Sequence, residues 1–474
     1  MAKQSILREV SRKIREVFDE EEIIQIARKT GYLKRKGKLS PIEFLSMCVF
    51  YCENICTSSL EDICDILKEK SKIDISENGL NKRFTEDAES FLKVFLSRLT
   101  SRQLHLNKSD INYHFNRIRI ADATGFKLPI KYIDKYRGTG SVKAPMSAMK
   151  IQLEYDLLTG EYLNYGVFSG TANDTLYLGT LQEGIRDGDL CLRDLGYYKL
   201  SDLKEIHRKN AYFISRMKSY SSVYCKDFKI DRYTKQLVPC NGKEYRRLYI
   251  DQILDSMLPG ESLELTDVQI GNKEKLKCRL IITKLTAECK GVRERKLKEN
   301  IEKKTIKNSY STQKFLDISS YITNIENNVI KATEIHEYYM LRWQIELMFK
   351  SWKSIFKIQQ NKTVKIERFH CALYGTLIRI VLSNTLLCYA KQKLYESENI
   401  IISEYKAFKI IKKVLPLIKS AIFKSLIATK LIFKEIFDKL EKRAQKSKRK
   451  KKKLPLEVLE TVKITNEEFT NKAS

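Results

Sequence analysis

Hydrophobic positions in the first hundred residues recur at the three- and four-residue intervals that are typical of helices. Residues 40–43, Ser-Pro-Ile-Glu, form a capping box with proline at the first helical position, which predicts a helix through about Cys56. A short helix from Ser59 to Lys68, a polar turn and a helix starting near Ser76 are expected next. The pattern therefore predicts an all-α N-terminal domain.

The last of these helices carries polar residues of the kinds that contact DNA. A short helix, a turn and a longer helix follow one another as in a helix-turn-helix motif, and Asn81, Lys82 and Arg83 lie near the second start. An ordinary helical bundle with solvated polar residues has equal weight. On the first interpretation, residues 1–110 form a DNA-binding domain in which these three side chains contact DNA.

From about residue 116 the hydrophobic period changes to two, which is typical of strands. The run from Asn116 to Asp122 alternates and finishes on an acid, and Leu-Leu-Thr-Gly at 157–160 predicts a hairpin turn between two further strands. Three strands, a helix, a strand, a helix and a strand is the element order of a ribonuclease-H-like α/β core. The elements after the first strand are expected at Lys150–Asp156, Glu161–Ser169, Thr175–Ile185, Leu190–Asp194, Leu200–Arg208 and Tyr212–Arg216.

This α/β core is expected to be interrupted by a β-rich insertion. After the core's last strand, short β-like runs at Ser262–Ile270 and Leu276–Leu285 alternate with polar turns. A very basic stretch follows at Lys290–Lys307, and the strand Tyr321–Ile325 then resumes the core. The cationic run Arg443–Lys453 is expected to be a disordered tail, either phosphate-attracting or without a specific task. The predicted segments are the helical DNA-binding domain at 1–110, the catalytic core at 111–216 and 321–395, the insertion at 217–320 and a helical C-terminal region at 396–474.

The charge balance indicates the class of partner. The 474 residues contain 88 Lys and Arg against 59 Asp and Glu, a formal net charge of +29. So large an excess repels itself unless a polyanion balances it, and nucleic acid is the expected partner. An anionic membrane is the other candidate, but the chain has no basic amphipathic anchor tied to a lipidation motif. The longest apolar stretch, Cys371–Ala390, contains Arg379, which favours a buried core helix over a membrane span.

Cysteine usage and the N-terminus indicate the compartment. The eleven cysteines show neither CxxC nor Cys/His metal spacing, and Cys48, Cys52, Cys56 and Cys64 recur at helical intervals as small core residues would. The chain opens on a charged segment without the apolar run of a secretory signal. We therefore expect a reducing cytoplasm.

The most informative segment is Tyr339–Lys353, which has the spacing Y-x2-R-x3-E-x6-K. In one continuous helix, at about 100° per residue, its four motif residues lie within roughly 60° of one another. A carboxylate flanked by cations suits a metal-bound phosphate, with Glu346 holding the ion and the cations holding the phosphodiester. A surface i,i+4 ion pair between Arg342 and Glu346 is the alternative interpretation.

Three acids stand out by their positions in the predicted elements. Asp122 ends one buried strand, Asp194 ends another, and Glu346 projects from a helix expected to lie across them. Carboxylates that converge from different elements can bind two hard cations and leave open positions for phosphate. Two such ions activate a water and stabilise the departing oxygen of a phosphodiester. A lone Asp would ordinarily be a surface acid, but three in these positions predict a metal-dependent site.

The residues around these acids resemble those of a known family. Asp122–Pro129, Asp-Ala-Thr-Gly-Phe-Lys-Leu-Pro, resembles the first-acid motif of the DDE transposases of bacterial insertion sequences. Asp194–Tyr197 resembles their second-acid motif, Asp-x-Gly-aromatic, and the 339–353 motif resembles the YREK signature of the IS-four-like group. Members of that group carry a β-rich insertion between the second and third acids, and 152 residues separate Asp194 from Glu346 here. The resemblance covers about residues 116–390.

The resemblance implies cut-and-paste DNA transposition by a metal-dependent enzyme. It implies that Asp122, Asp194 and Glu346 bind two Mg²⁺ or Mn²⁺ ions, and that an activated water nicks the element's end. The 3′-hydroxyl left by that nick would attack further phosphodiesters without a covalent protein intermediate. The expected partners are the terminal inverted repeats and target DNA, bound by a homodimer at the nucleoid of a bacterial cytoplasm. The residues implied for gripping the DNA backbone near the cut are Tyr339, Arg342 and Lys353.

One step of the related mechanisms stays open at the level of sequence. Relatives that form a DNA hairpin flip a base onto a tryptophan of the insertion. The tryptophans here are Trp343 and Trp352, both on the predicted catalytic helix. Either an insertion tyrosine such as Tyr220 or Tyr224 substitutes, or the hairpin step differs.

Two other functions also remain open. A metal-dependent nuclease or resolvase would use the same core, and strand transfer of a labelled 3′-end into a second DNA separates it from a transposase. A non-catalytic DNA-binding derivative is the alternative of another class. Loss of cleavage with retained binding in Asp194→Ala would support the enzyme.

Overall fold

The chain forms a mixed α/β structure. The computed structural model describes residues 2–35, 37–102, 112–141, 143–231, 233–234, 237–240, 242–302, 315–447 and 454–464. Its α-helices are α1 Ala2–Val17, α2 Glu20–Lys29, α3 Pro41–Ser46, α4 Leu60–Ser71, α5 Glu77–Asn81, α6 Glu86–Ser101, α7 Leu178–Glu183, α8 Leu200–Arg208, α9 Ile250–Ser256, α10 Ala287–Glu302, α11 Ile335–Met340, α12 Trp343–Ser354, α13 Ile366–Glu398, α14 Glu404–Lys424, α15 Leu426–Arg443 and α16 Pro455–Leu459. Its strands are β1 Asn112–Tyr113, β2 Arg117–Leu128, β3 Ser147–Asp156, β4 Tyr162–Ser169, β5 Asp189–Arg193, β6 Tyr212–Arg216, β7 Val223–Cys225, β8 Phe228–Ile230, β9 Leu237–Pro239, β10 Arg246–Leu248, β11 Ser262–Ile270, β12 Leu276–Lys284, β13 Ile318–Thr323 and β14 Lys463–Ile464.

These elements fall into two compact units whose limits differ from the predicted domain boundaries. The N-terminal helices share a unit with α13, α14 and α15, so they are not a compact unit by themselves. Strand β2 and helix α12 each continue from one unit into the other. The first unit comprises Met1–Asp110, Ala123–Ala172 and Ile345–Lys452, and the second comprises Ile111–Asp122, Asn173–Gln344 and Lys453–Ser474.

Helix α13 is the central helix of the first unit. By length and composition it could cross a membrane, but 89% of its most apolar window is buried inside the unit. It packs against α6 and against the π-helical turn Met47–Tyr51. The expectation of a buried core helix over this apolar stretch is therefore confirmed.

The helix that starts at Pro41 has the predicted N-terminus and a different end. The Ser40 side chain accepts a hydrogen bond from the Glu43 backbone N–H at 3.2 Å, which is one of the two hydrogen bonds of a capping box. The α-helix ends at Ser46, continues as the π-helical turn and stops before Cys52, so the predicted extension to Cys56 is wrong. The predicted burial of Cys48, Cys52 and Cys56 is confirmed, whereas Cys64 is only partly buried.

Arg379 of α13 gives a physical reason for that early end. Its guanidinium is buried and donates to main-chain carbonyls that an α-helix would have used internally. Burial lowers the pKa of Arg379 to about 10, so the group remains a cation at neutral pH. The accepting oxygens belong to Val49 at 2.8 Å, Glu53 at 2.8 Å, Cys48 at 3.1 Å and Cys52.

The predicted helix-turn-helix is only partly present. Helix α4 is capped by Ser59 and extends to Ser71, but α5 has five residues instead of forming the longer second helix. A competing helix start explains the difference, because the Thr85 hydroxyl caps α6 by accepting from the Ala88 N–H at 3.2 Å. Buried Phe84 fixes the chain between the two helices.

In the second unit, eight strands form a mixed sheet in the order β10-β7-β11-β12-β13-β6-β5-β2. Strands β2, β5 and β6 are parallel neighbours, and the other pairs are antiparallel. Strands β6 and β11 have the bounds that the period-two pattern predicts. The strands β11 and β12 of the predicted insertion are part of this sheet, since β12 pairs directly with β13.

In the first unit, the second half of β2 is followed in the sheet by β3 and β4. The antiparallel β3–β4 hairpin turns at Gly160, whose φ of +77° favours glycine. Strand β2 continues to Leu128, so the prediction that it ends at Asp122 is wrong. The continuation pairs with β3. A Cβ atom added at Gly125 would lie only 3.3 Å from the Met149 carbonyl oxygen of β3, so the two strands approach closely at this position.

The C-terminal region divides between the units. In the first unit, Gln445 forms an antiparallel bridge with Ile402, and the Lys446 N–H donates to the Ile401 carbonyl at 2.8 Å. Residues 448–453 of the predicted disordered tail, and 303–307 of the predicted basic stretch, lie outside the described residues. In the second unit, β14 pairs with β1.

Candidate active site

Two adjacent parallel strands position the first two acids. Ala121 of β2 is in register with Arg193 of β5, and the next residue on each chain is Asp122 or Asp194. Asp122 lies within β2, whereas Asp194 follows β5 and begins a tight turn in which the Tyr197 N–H donates to its carbonyl at 3.0 Å. The parallel register therefore carries both carboxylates to the same level of the sheet.

One guanidinium lies against both carboxylates. The Nη1 atom of Arg342 is 3.1 Å from Oδ2 of Asp122, and its Nε atom is 4.0 Å from Oδ1 of Asp194. The Asp194 side chain is 48% exposed, so the site opens to solvent on its side. Two hard oxygen donors that already share one cation fit a divalent metal such as Mg²⁺ or Mn²⁺. Within the described residues, no group of three or more His, Cys, Asp or Glu side chains is close enough to hold a metal.

Tyr339 on α11 borders the same site. Its ring centroid lies 5.9 Å from the Arg342 guanidinium and 5.3 Å from the ring of Tyr321. Burial, reinforced by the negative charge of Asp194, raises the pKa of Tyr339 to about 12. Its hydroxyl is buried and has no hydrogen-bond partner among the residues that the structure describes. A neutral donor is therefore available beside the two acids.

The prediction of a continuous helix over residues 339–353 is wrong. Helix α11 ends at Met340 and α12 begins at Trp343, and the connecting turn has i to i−3 hydrogen bonds. The Arg342 N–H donates to the Tyr339 carbonyl at 3.1 Å, and that of Gln344 donates to the Leu341 carbonyl at 3.0 Å. Arg342 thus lies in a turn and pairs with Asp122, a tertiary contact that the hydrophobic pattern does not encode.

Glu346 and Lys353 lie on α12 in the first unit. Glu346 occupies the first turn of the helix and is half-buried, and the apolar side chains of Met348 and Trp352 are buried. The Lys353 ammonium donates to the Gly125 carbonyl at 3.0 Å, within the predicted first-acid motif, and burial lowers its pKa. The structure thus brings together Asp122, Asp194, Arg342 and Tyr339 in one unit, and Lys353 with the first-acid motif in the other.

Arg193 is a neighbour of the second acid that the sequence patterns did not single out. It is 7% exposed, and in the described part of the chain neither Nη atom has a hydrogen-bond partner. With Asp194 and Asp202 it lines a cavity of about 10 Å³, room for about one water molecule. Burial raises the pKa of Asp202. The signal in the sequence is a charged residue directly before the acid that follows an apolar strand.

The sequence profile of the family described as the Transposase DDE domain matches residues 113–382. The transposase for insertion sequence element IS1151 of Clostridium perfringens is 38% identical to the chain over 470 residues, which cover 98% of each protein. The chain belongs to the DDE transposase family. Members of this family cleave DNA and transfer its strands, so the prediction of a DNA transposase is confirmed.

Other DDE transposases have similar lengths and sequences. That for IS231D of Bacillus thuringiensis subsp. finitimus is 35% identical over 440 residues, 92% of this chain and 91% of the relative. That for IS231F of Bacillus thuringiensis subsp. israelensis is 35% identical over 460 residues, 96% and 95% of the two chains. A piggyBac transposase synaptic complex with hairpin DNA, solved by cryo-EM, matches with a TM-score of 0.45 and 11% identity, over 97% of this chain and 88% of that one. That likeness is too low to bear on fold or function.

Proposed function

We propose that this DDE transposase cuts the terminal inverted repeats of its element and joins them to target DNA, using Asp122, Asp194 and Glu346 to hold two Mg²⁺ or Mn²⁺ ions. The observation that carries the proposal is the shared guanidinium of Arg342, which lies against both aspartates. Converging carboxylates in contact with a cation are a ready site for divalent ions. Glu346 is the third ligand in this proposal, in line with its place in the YREK signature.

The strand order supports a ribonuclease-H-like core. The first unit contributes the order β4-β3-β2, and the second contributes β2-β5-β6. The first acid lies within the strand common to both orders, and the second follows its parallel neighbour. The second acid follows its strand, as the sequence pattern predicts, whereas the first acid lies within its strand and not at the end.

In this proposal, the metal ions and the protein side chains have different roles in the reaction. Bound divalent ions lower the pKa of water and stabilise the oxygen that leaves phosphorus. Arg342 balances the charges of Asp122 and Asp194 in the metal-free protein, and its guanidinium would bind the phosphodiester when divalent ions occupy the two carboxylates. The neutral hydroxyl of Tyr339 donates a hydrogen bond to a phosphate oxygen, and Lys353 binds the DNA backbone beside the first-acid motif.

Arg342→Ala is expected to separate metal binding from catalysis. Removing the guanidinium leaves two unbalanced carboxylates, so Mn²⁺ should bind the DNA-free protein about tenfold more tightly. Cleavage of the terminal DNA should fall about a hundredfold, because the phosphate loses a charged hydrogen-bond donor. Calorimetric Mn²⁺ titration and a gel assay of cleavage measure the two effects.

The matched control for that experiment is Arg208→Ala. The Arg208 side chain is exposed on α8 and pairs with Glu205, so both readouts should stay at wild-type values. Mn²⁺ affinity that is unchanged or weaker in Arg342→Ala would contradict the placement of Arg342 where a metal binds.

End recognition is proposed for Asn81, Lys82 and Arg83, at the end of α5 and in the turn after it. We expect Lys82→Gln combined with Arg83→Gln to weaken specific end binding. The slope of log affinity against log salt should fall by up to about two, near 0.9 for each phosphate that the variant no longer neutralises. Fluorescence anisotropy at several salt concentrations measures both quantities. Arg28→Gln combined with Lys29→Gln removes the same charges from exposed positions on α2, and equal effects of the two pairs would refute the assignment.

Tyr220 is better placed than Tyr224 to stack on a flipped base. Tyr220 is 74% exposed, and the Lys218 ammonium lies 5.8 Å from its ring centroid. The Tyr224 hydroxyl instead donates to Oδ1 of Asn272 at 2.8 Å.

A homodimer that pairs two element ends at the nucleoid of the cytoplasm completes the proposal.

A further inference from the structure

The first unit contains a cleft lined by lysines that the proposed active site does not use. Its volume is about 530 Å³. We propose that this cleft binds the phosphodiester backbone of double-stranded DNA, three to four base pairs from the bond that is cut. The inference rests on the proposed function, because it needs a DNA substrate at Glu346. The charged side chains that line the cleft are Glu53, Lys357, Arg379, Lys409, Lys412 and Lys413.

Four elements of one unit form the cleft: the end of the π-helical turn, the end of α12, the middle of α13 and α14. Arg379 gives its N–H groups to main-chain carbonyls, so the lysines are the cations left to meet a ligand. The Lys412 ammonium also donates to the Ile355 carbonyl at 2.7 Å. That bond places a positive charge at the C-terminal end of α12, where the helix dipole favours it.

Glu53 shows how the lysines would hold an anion. Its carboxylate lies 2.6 Å from the Lys412 ammonium and 3.0 Å from that of Lys357, although the side chain is 53% exposed. Hydrogen bonds from Lys412 and then Lys357 lower the pKa of Glu53 to about 2, so it is always charged at working pH. Two ammonium groups converging on one anionic oxygen is a geometry that a phosphate oxygen can also use.

Two further lysines of the cleft have no such acid. Lys409 and Lys413 are exposed, and no carboxylate in the described ranges lies within ion-pair distance of either. The Lys409 ammonium lies over the ring of Tyr405, 4.6 Å from its centroid, which holds the charge at the cleft. A row of cations with a single acid suits a repeating phosphate backbone better than a single small anion.

The distance to the proposed active site agrees with duplex DNA. Ser354 lines the cleft and lies eight residues after Glu346 on the same helix. At 1.5 Å per residue the axial separation is about 12 Å, or three to four base pairs at a rise of about 3.4 Å. A duplex that runs along α12 with its scissile phosphate at Glu346 would therefore present a neighbouring phosphate to these lysines.

The test compares Lys409→Gln/Lys413→Gln with the wild type on terminal-repeat duplexes extended on both sides of the cut. We expect binding to weaken about tenfold near 0.1 M salt and the salt slope to fall by about two. If the duplex is shortened to fewer than three base pairs on the side of the cut that reaches the cleft, the difference in binding between the variant and the wild type should disappear. Lys434→Gln/Lys442→Gln on exposed positions of α15 makes the same charge change outside the cleft and should bind like the wild type.

The outcomes separate this inference from the proposed function. If wild type cleaves the duplex with Mg²⁺ and the cleft variant binds it with unchanged affinity and slope, the cleft inference is overturned and the active-site proposal stands. If wild type binds the duplex but does not cleave it, the active-site proposal fails on its own. Poly-glutamate binding that is lost in the cleft variant, with DNA binding intact, would overturn the inference in favour of an acidic protein partner.

Discussion

Glu346→Gln is expected to lose metal-dependent cleavage of the element's terminal DNA and to keep end binding at the wild-type level. The substitution preserves the size and shape of the side chain, replaces one carboxylate oxygen by an amide NH2 group and removes the negative charge, which a hard divalent ion requires. Loss of several kcal/mol of charge stabilisation at the reacting phosphate corresponds to a rate at least about a thousandfold lower. Gel analysis of labelled end DNA with Mg²⁺, together with a binding assay, measures both quantities.

The control for this substitution is Glu326→Gln, which removes the same charge from an exposed position after β13 and should cleave normally. New 3′-hydroxyl ends from wild type and from the control, and none from Glu346→Gln, would support the three-acid mechanism. Cleavage by Glu346→Gln within about tenfold of the wild-type rate would remove Glu346 from the metal site. Equal binding by all three proteins without any cleavage would mean that this copy does not cut DNA.

Arg379→Met is expected to cost about 4 kcal/mol of stability. The substitution keeps an apolar stem of similar length and leaves four main-chain carbonyls, three of them in buried hydrogen bonds, without their charged donor. For a unit of this size, the thermal midpoint should fall by about 10 °C. The amides of Met47–Tyr51 should exchange with solvent faster, because the π-helical turn loses the group that holds its C-terminal carbonyls. Scanning calorimetry and hydrogen exchange measure these effects.

Arg28→Met on exposed α2 controls for the loss of a cation, and its midpoint should stay within about 2 °C of the wild type. A midpoint for Arg379→Met in that same narrow range would show that water replaces the guanidinium at little cost. The role assigned to Arg379 in ending the helix would then be wrong.

The sequence predicts elements well where hydrophobic period and turn residues agree. Strands β6 and β11 and helix α8 have the predicted bounds, because each is a strongly periodic segment between polar turns. Errors occur where a tertiary contact competes with local preference. The hydrogen bonds of Arg379 end the helix that starts at Pro41, and the Thr85 cap of α6 shortens α5. The hydrophobic periodicity of the helices that they shorten does not reveal either contact.

The candidate site was likewise predictable from the sequence only in part. Adjacent parallel strands carrying Asp122 and Asp194 follow from the element order, so their proximity was predictable. The position of Arg342 was not, since it depends on a break between α11 and α12 and on an ion pair to a residue 220 positions away. In a continuous helix, Arg342 would lie on the same face as the other motif residues, so the sequence pattern predicts that it binds phosphate. That pattern does not predict its contacts with the two aspartates.

The pairing of β12 with β13 has a consequence for how this protein can change by deletion or recombination. The segment 217–320 is bonded into the sheet, and its Val268 and Ile282 pack in the same hydrophobic cluster as Phe213 of the core. Excising the segment would remove the first half of β13, leave the edge of its remaining residues unpaired and expose part of the hydrophobic core, a combination that promotes aggregation. The segment therefore cannot be exchanged as a cassette, and variation in it is confined to the turns and surfaces that the sheet does not use.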